Sequence, residues 1–163
     1  MQIIFGGIDA SNSPANYLYA VGQYGKFYRL QLTANHHPGI WSLLGTPPGK
    51  VVKSVAVESV AVERVVLITT SDNEIWRFIP SGGTFVKLGK VTNKAIKISK
   101  PFRHTCQGSS VLMAIVQAPN RLYAMKIQSN TGHFTNIGYN SSPFSHLPAV
   151  LPYSKCPKVF IQR

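Results

Sequence analysis

The sequence predicts an all-β fold assembled from a repeated four-stranded unit. Helical periodicity is missing: no segment of a dozen residues keeps apolar positions at spacings of three and four without a Gly, a Pro or a β-branched run intervening. Short β-branched and aromatic runs alternate instead with turn residues, the pattern of strands and hairpins. The third observation is an internal repeat, which sets the architecture.

Three hairpins share one plan: an apolar strand, a two-residue turn, and a strand that opens with an apolar–aromatic pair. They span Leu18–Leu32, Val65–Ile79 and Val111–Ile127, with turns at Tyr24-Gly25, Asp72-Asn73 and Pro119-Asn120. All three turns hold residue types suited to tight-turn dihedrals. The aromatics of the second strands are Tyr28, Trp76 and Tyr123, separated by 48 and 47 positions.

Each hairpin is followed by another short strand that closes on an apolar–Gly pair: Gly39–Gly45, Gly83–Gly89 and Gly132–Gly138. Leu44-Gly45, Lys50, Val52 and Lys53 recur at a constant offset of 44 as Leu88-Gly89, Lys94, Ile96 and Lys97. The third repeat departs after Gly138, where Pro143 stands at the repeat-equivalent lysine. A period of 44–49 residues with four short strands is the sequence form of a β-propeller blade. For the second repeat the strands fall at Lys50–Val57, Val65–Thr69, Glu74–Ile79 and Thr84–Leu88.

A turn, an apolar–aromatic pair followed by Arg, then aromatic-x-x-apolar-Gly: this pattern resembles the tectonin-type propeller repeat. The resemblance covers about residues 17–138 and rests on Phe27-Tyr28-Arg29, Ile75-Trp76-Arg77 and Leu122-Tyr123. It weakens in the third repeat, where Ala124 replaces the Arg and Pro119 enters the turn. It implies a propeller, and a lectin-like one, since such propellers include glycan-binding lectins.

The expected organisation is a single domain over residues 1–163, all-β and β-propeller-like, with blades at about 1–45, 50–89 and 94–138 and a partial one at 147–163. Gln2–Gly6 supplies the first strand of the first blade, and Ala149–Leu151 with Lys158–Gln162 begin an unfinished fourth. About three and a half blades cannot close a ring, and open sheet edges invite association. The expectation is a homo-oligomer, or a partner protein that completes the ring. A closed monomer of three or four blades, or a sandwich of the same hairpins, remains an alternative.

Charge divides the chain. All five acids (Asp9, Glu58, Glu63, Asp72, Glu74) lie in the first 74 residues, where five bases balance them; from Ile75 onward twelve bases carry the whole net charge of +12. Lys87, Lys90, Lys94, Lys97, Lys100 and Arg103 recur every three or four residues. Gly89, Val91, Thr92, Ile96 and Ile98 between them disfavour a helix, so these bases are expected on two strands and their connection. Such a surface suits an anionic polymer, nucleic acid included, or an acidic protein; it also serves plain solubility. Phe102 stands nearby for stacking.

Catalysis is not expected. Only Asp72 and Glu74 are close in sequence, and they flank a hairpin turn, where solvated residues are the commoner outcome; no nucleophile-elbow, zinc-protease, Walker or dinucleotide pattern occurs. The histidines (His36, His37, His104, His133, His146) lack metal-ligand spacing; a site from His104, Cys106 and a distant partner has no motif behind it. No cofactor or metal is expected. Cys106 and Cys156 read as free thiols, with pairing left open. Asn140-Ser141-Ser142 matches a glycosylation acceptor and reads most simply as a polar turn. With no signal-peptide pattern and no span of about 20 apolar residues, an intracellular or particle-bound location is expected.

Two binding surfaces follow. Tyr28, Arg29, Trp76, Arg77 and Tyr123 offer aromatic faces beside guanidinium groups, suited to the C–H patch and hydroxyls of a glycan. The same aromatics would equally fill the space between blades. Lys87, Lys90, Lys94, Lys97, Lys100 and Arg103 offer an anion or nucleic-acid surface instead, on a structural subunit of a virion, tail or ribonucleoprotein.

Overall fold

A computed structural model describes residues 4–9, 16–32, 38–60, 63–106, 109–128, 130–139, 149–150 and 159–160. Within these the chain is all-β. The first sheet holds β1 (Ile4–Asp9), β2 (Asn16–Val21), β3 (Phe27–Leu32) and β4 (Pro38–Gly45) in that order. The second holds β5 (Val52–Val60), β6 (Glu63–Thr70), β7 (Ile75–Ile79) and β8 (Thr84–Gly89), again in chain order. The third holds β10 (Phe102–Cys106), β11 (Ser109–Ala118), β12 (Arg121–Gln128) and β13 (Thr131–Tyr139), with short β9 (Lys97–Ile98) also on β11. A final pair, β14 (Ala149–Val150) and β15 (Val159–Phe160), is antiparallel. Among the described residues none of these sheets closes on itself, and no helix is long and apolar enough to cross a membrane.

Each large sheet is an up-and-down meander, so all pairings are between sequence neighbours except at β9. The three hairpins expected from the sequence are β2–β3, β6–β7 and β11–β12, but only the last turns through two residues: in the first two the Gly22 N–H donates to the Lys26 carbonyl and the Thr70 N–H to the Glu74 carbonyl, leaving three residues in each turn. Ala149–Val150 and Val159–Phe160, which fall within the two strands expected near the end of the sequence, pair with each other; the rest of those two stretches lies outside the described residues. In the second repeat, β5 opens at Val52 rather than Lys50 because the chain first turns through Pro47–Lys50, with Gly49 at φ 67 and the Lys50 N–H donating to the Pro47 carbonyl at 3.0 Å. A positive φ of this kind favours glycine.

The three sheets share an irregularity as well as an order. A register shift separates Phe27 from Tyr28 against β4, Ile75 from Trp76 against β8, and Leu122 from Tyr123 against β13. The residue before the shift faces the closing glycine each time: Phe27 opposite Gly45, Ile75 opposite Gly89, Leu122 opposite Gly138. This is a β-bulge placed identically in each repeat, and it explains why the apolar–aromatic pair and the terminal Gly recur together.

The first strand of the third sheet is interrupted. Pro101 lacks an amide N–H and sits between β9 and β10. Ser99 bridges the gap: its backbone N–H donates to the Ile115 carbonyl at 2.9 Å, and its Oγ accepts the Ile115 N–H at 2.9 Å.

The second sheet is the middle layer. One cluster packs Tyr19, Val21 and Phe27 of the first sheet against Val52, Val55, Val57, Val66, Ile68 and Phe78 of the second. The other packs Val65, Leu67, Ile75 and Leu88 of the second sheet against Leu112, Ala114, Val116, Met125 and Ile127 of the third. Strand β6 therefore feeds both cores with alternate residues, which is why Val65–Ile68 reads as an unbroken apolar run. Tyr19, Phe27, Phe78 and Phe85 meet ring to ring, with Phe27 edge-on to Phe78 at 5.4 Å. Opening strands are neighbours too: β1 lies against β5, and β10 also touches β5.

Candidate functional site

The repeated aromatics fall on one side of their strands. Trp76 lies opposite Ile68 and packs on the core shared with the first sheet. Tyr123 lies opposite Val116 and packs on the core shared with the second sheet. Each thus faces the sheet that precedes its own. Tyr28 occupies the same position in the first sheet, opposite Ala20, and belongs to neither cluster.

Adjacent strand residues project to opposite faces, and this separates the aromatics from the arginines that follow them. Arg29 lies over the Tyr17 ring at 4.5 Å, on the face that Tyr28 does not use. Arg77 lies opposite Leu67 and so faces the third sheet. An aromatic and its own following Arg are not brought together. Arg77 instead lines a cleft of about 390 Å³ with Arg103, Ser110, Lys126 and Gln128.

Around the β6–β7 turn the chain gathers ions. Asn73 takes φ 65 and its side-chain amide donates to the Asn93 carbonyl at 2.9 Å. Asp72 accepts hydrogen bonds from Lys50 Nζ and Thr70 Oγ1, both at 2.5 Å. Glu74, only 6% exposed, accepts from Lys87 Nζ, from Lys50 Nζ at 3.2 Å and from Trp76 Nε1 at 3.0 Å. A carboxylate this buried needs such partners to stay charged. The Lys50 and Thr70 hydrogen bonds bring the Asp72 carboxyl down to about 2. The Lys87 hydrogen bond leads in lowering Glu74, with Lys50 and Trp76 assisting against the cost of burial. Hydrogen bonds to Asp72 and Glu74 raise Lys50 in turn. The sequence reads Asp72 and Glu74 as residues flanking a turn, solvated in the common case, and gives no sign of this cluster.

The equivalent place in the third sheet is built differently. Its turn is one residue shorter, with Ala118 paired to Arg121. Val91, Thr92 and Lys94 from the preceding connection meet Pro119, Asn120, Arg121, Tyr123 and Tyr139 around an open cleft of about 340 Å³. Among the described residues no carboxylate pairs with Lys94 or Arg121.

The basic run spreads over three strands rather than the expected two, with Lys87 on β8, Lys97 on β9, Arg103 on β10 and the others on the connections, because the break at Pro101 splits the opening strand of the third sheet. Lys90, Lys94, Lys97 and Lys100 are exposed, Arg103 is half-buried, and Lys87 is held by Glu74. Cys156 and Asn140 lie outside the described residues, as do His36, His37 and His146. Among the described residues no three His, Cys, Asp or Glu side chains group to hold a metal ion. No protein-family model matches the chain, and no curated protein matches it either.

Proposed function

We propose that the chain is a non-catalytic, lectin-like recognition module of β-propeller type, whose meanders stand as successive blades and whose ring is completed by a second chain. The observation that carries this reading is the repeated placement of Trp76 and Tyr123 toward a preceding sheet, while Tyr28, at the same position, packs in neither inter-sheet core. The face it shares holds Leu18, Ala20, Leu30, Trp41 and Leu43, with Trp41 37% and Leu43 58% exposed. By repeat equivalence that face is built to receive a blade. The identical bulges, the opening strands set side by side, and the resemblance to tectonin-type repeats support the same reading.

Light scattering tests the assembly. A dimer or larger species is expected, shifting toward monomer in Leu43→Lys with the β-sheet circular dichroism unchanged. A wild-type protein that stays monomeric at high concentration sinks the ring. A glycan array tests the ligand class, and silence across neutral and acidic glycans sinks the lectin-like part.

One observation favours a second reading, a structural subunit of a larger particle: the solvent-facing series Lys90, Lys94, Lys97 and Lys100, with no acid in the same half of the chain. Nucleic-acid binding by this series would weaken steeply with salt and ignore sequence. Filter binding that is indifferent to ionic strength counts against it.

A further inference from the structure

The connection between the first and second sheets and that between the second and third are equivalent, and Lys50 and Lys94 stand at the same place in them. In the earlier connection the fold shows what this lysine grips: the carboxylates of Asp72 and Glu74. In the later one both acids are gone. Pro119 occupies the turn, and Arg121 stands where Glu74 stood, each just before a residue with no exposed surface (Ile75 and Leu122). Lysine and arginine now share a cleft of about 340 Å³ that contains no acid.

We infer that this cleft binds an acidic sugar, with the carboxylate held between Lys94 and Arg121 and the ring laid against Tyr123 and Tyr139. The inference rests on the lectin-like reading above and gives it a ligand class and a place. Two cations in one cleft repel each other, and a carboxylate relieves that repulsion while accepting charge-assisted hydrogen bonds. Arg121 offers the planar fork that matches a carboxylate. Tyr123 is half-buried and Tyr139 is 66% exposed, so one ring is a fixed wall and the other an open one. Thr92 and Asn120 supply the hydroxyl and amide that sugar hydroxyls need. The volume sits at the small end of ligand sites, enough for a single sugar unit rather than a long segment. A bare anion would use the cations and leave the tyrosines idle.

The cleft has no counterpart in the second repeat. In the second, the same space is filled by the protein's own ions, and Trp76 is engaged by Glu74. The sites therefore differ from blade to blade, although the aromatic repeats.

Saturation-transfer NMR and calorimetry with D-glucuronate test the inference, against its neutral methyl ester, acetate and a Glu-rich peptide. Saturable glucuronate binding is expected, with the ester and acetate each at least about tenfold weaker, equivalent to about 1.4 kcal/mol. Arg121→Glu should abolish binding while the protein stays folded, because it restores the charge pattern of the second repeat; Lys94→Gln and Tyr123→Phe serve as second variants. Lys94→Gln should weaken binding, whereas Tyr123→Phe should retain it because the ring wall persists. Equal affinity for the ester, equal affinity for acetate, tighter Arg121-dependent binding of the peptide, or indifference to both Arg121→Glu and Lys94→Gln overturns the proposal. A monomeric mass in solution would remove the ring and leave this cleft; binding indifferent to Arg121 and Lys94 would remove the cleft and leave the ring.

Discussion

Glu74 and Arg121 stand at one position of successive sheets, each directly before a fully buried residue that faces a closing glycine, and they carry opposite charges. The backbone repeats and the electrostatics invert. In the second sheet the position knits the fold together, because Glu74 collects Lys50, Lys87 and the Trp76 indole. In the third it faces an open cleft.

Removing the charge at Glu74 should therefore cost stability. Glu74→Gln keeps the shape but leaves Lys50 and Lys87 without their shared carboxylate. A loss of about 2 kcal/mol is expected, the order found when a charged hydrogen-bond partner is withdrawn from a buried site. It reads as a lower urea midpoint at unchanged m. Arg121→Gln, at an exposed position, should change stability by less than about 0.5 kcal/mol. Equal effects from the two would contradict the different roles assigned to this position.

The same cluster sets the response to acid. Asp72 titrates near 2 in the folded chain against an ordinary 3.8, and Glu74 is also lowered from 4.5. A lowered carboxyl contributes stability that is complete above its unfolded value and is lost as the pH falls through its folded one. The melting temperature should hold down to about pH 5 and then fall toward pH 2. Lys50 is raised from 10.5, so it stays charged across this whole window. Lys50→Ala should start from lower stability and show a shallower acid limb, measured by thermal unfolding across buffers of one ionic strength.

The repeat made the sheets legible. Short β-branched and aromatic runs, turn residues and the apolar–aromatic pair located the three hairpins, and the closing glycines located the outer strands, because the bulge needs both. The ion cluster was not legible from the same signals. Its members lie at positions 50, 72, 74 and 87, and a turn acid next to a strand looks the same on paper whether water or a lysine surrounds it. The cleft carried a fainter signal: Lys94 was visible as the repeat of Lys50, but Arg121 gained meaning only when its pairing matched it to Glu74. Tyr28, Trp76 and Tyr123 were legible as a set, yet which sheet each would face was not.

Strand β6 makes the middle sheet the most sensitive one to truncation. Leu67 has no exposed surface and packs on the third-sheet side, while its neighbours Val66 and Ile68 pack on the first-sheet side. Leu67→Ala leaves a void between two sheets that cannot both collapse into it, so a loss of about 3 kcal/mol is expected. Ile137→Ala, on outer strand β13 and 38% exposed, should cost under about 1 kcal/mol. Chemical denaturation of both variants checks the contrast.

The first hairpin turn supplies a test in which sterics and backbone strain separate. Gly25 has φ 69, and a Cβ there would sit 2.8 Å from the Val52 carbonyl oxygen and clash with the Val51 side chain. Gly83 has φ 62 with nothing within 4 Å of a Cβ. Gly83→Ala therefore carries only the left-handed backbone cost of about 1 kcal/mol. Gly25→Ala adds overlap with main chain that cannot yield cheaply, for a total of about 3 kcal/mol. Because the Gly25 turn abuts the connection into the second sheet, the damage should spread. Amide exchange at Val52 and Ser54 should quicken in Gly25→Ala and stay unchanged in Gly83→Ala. Identical exchange in the two variants would mean that the turn and the connection do not support each other.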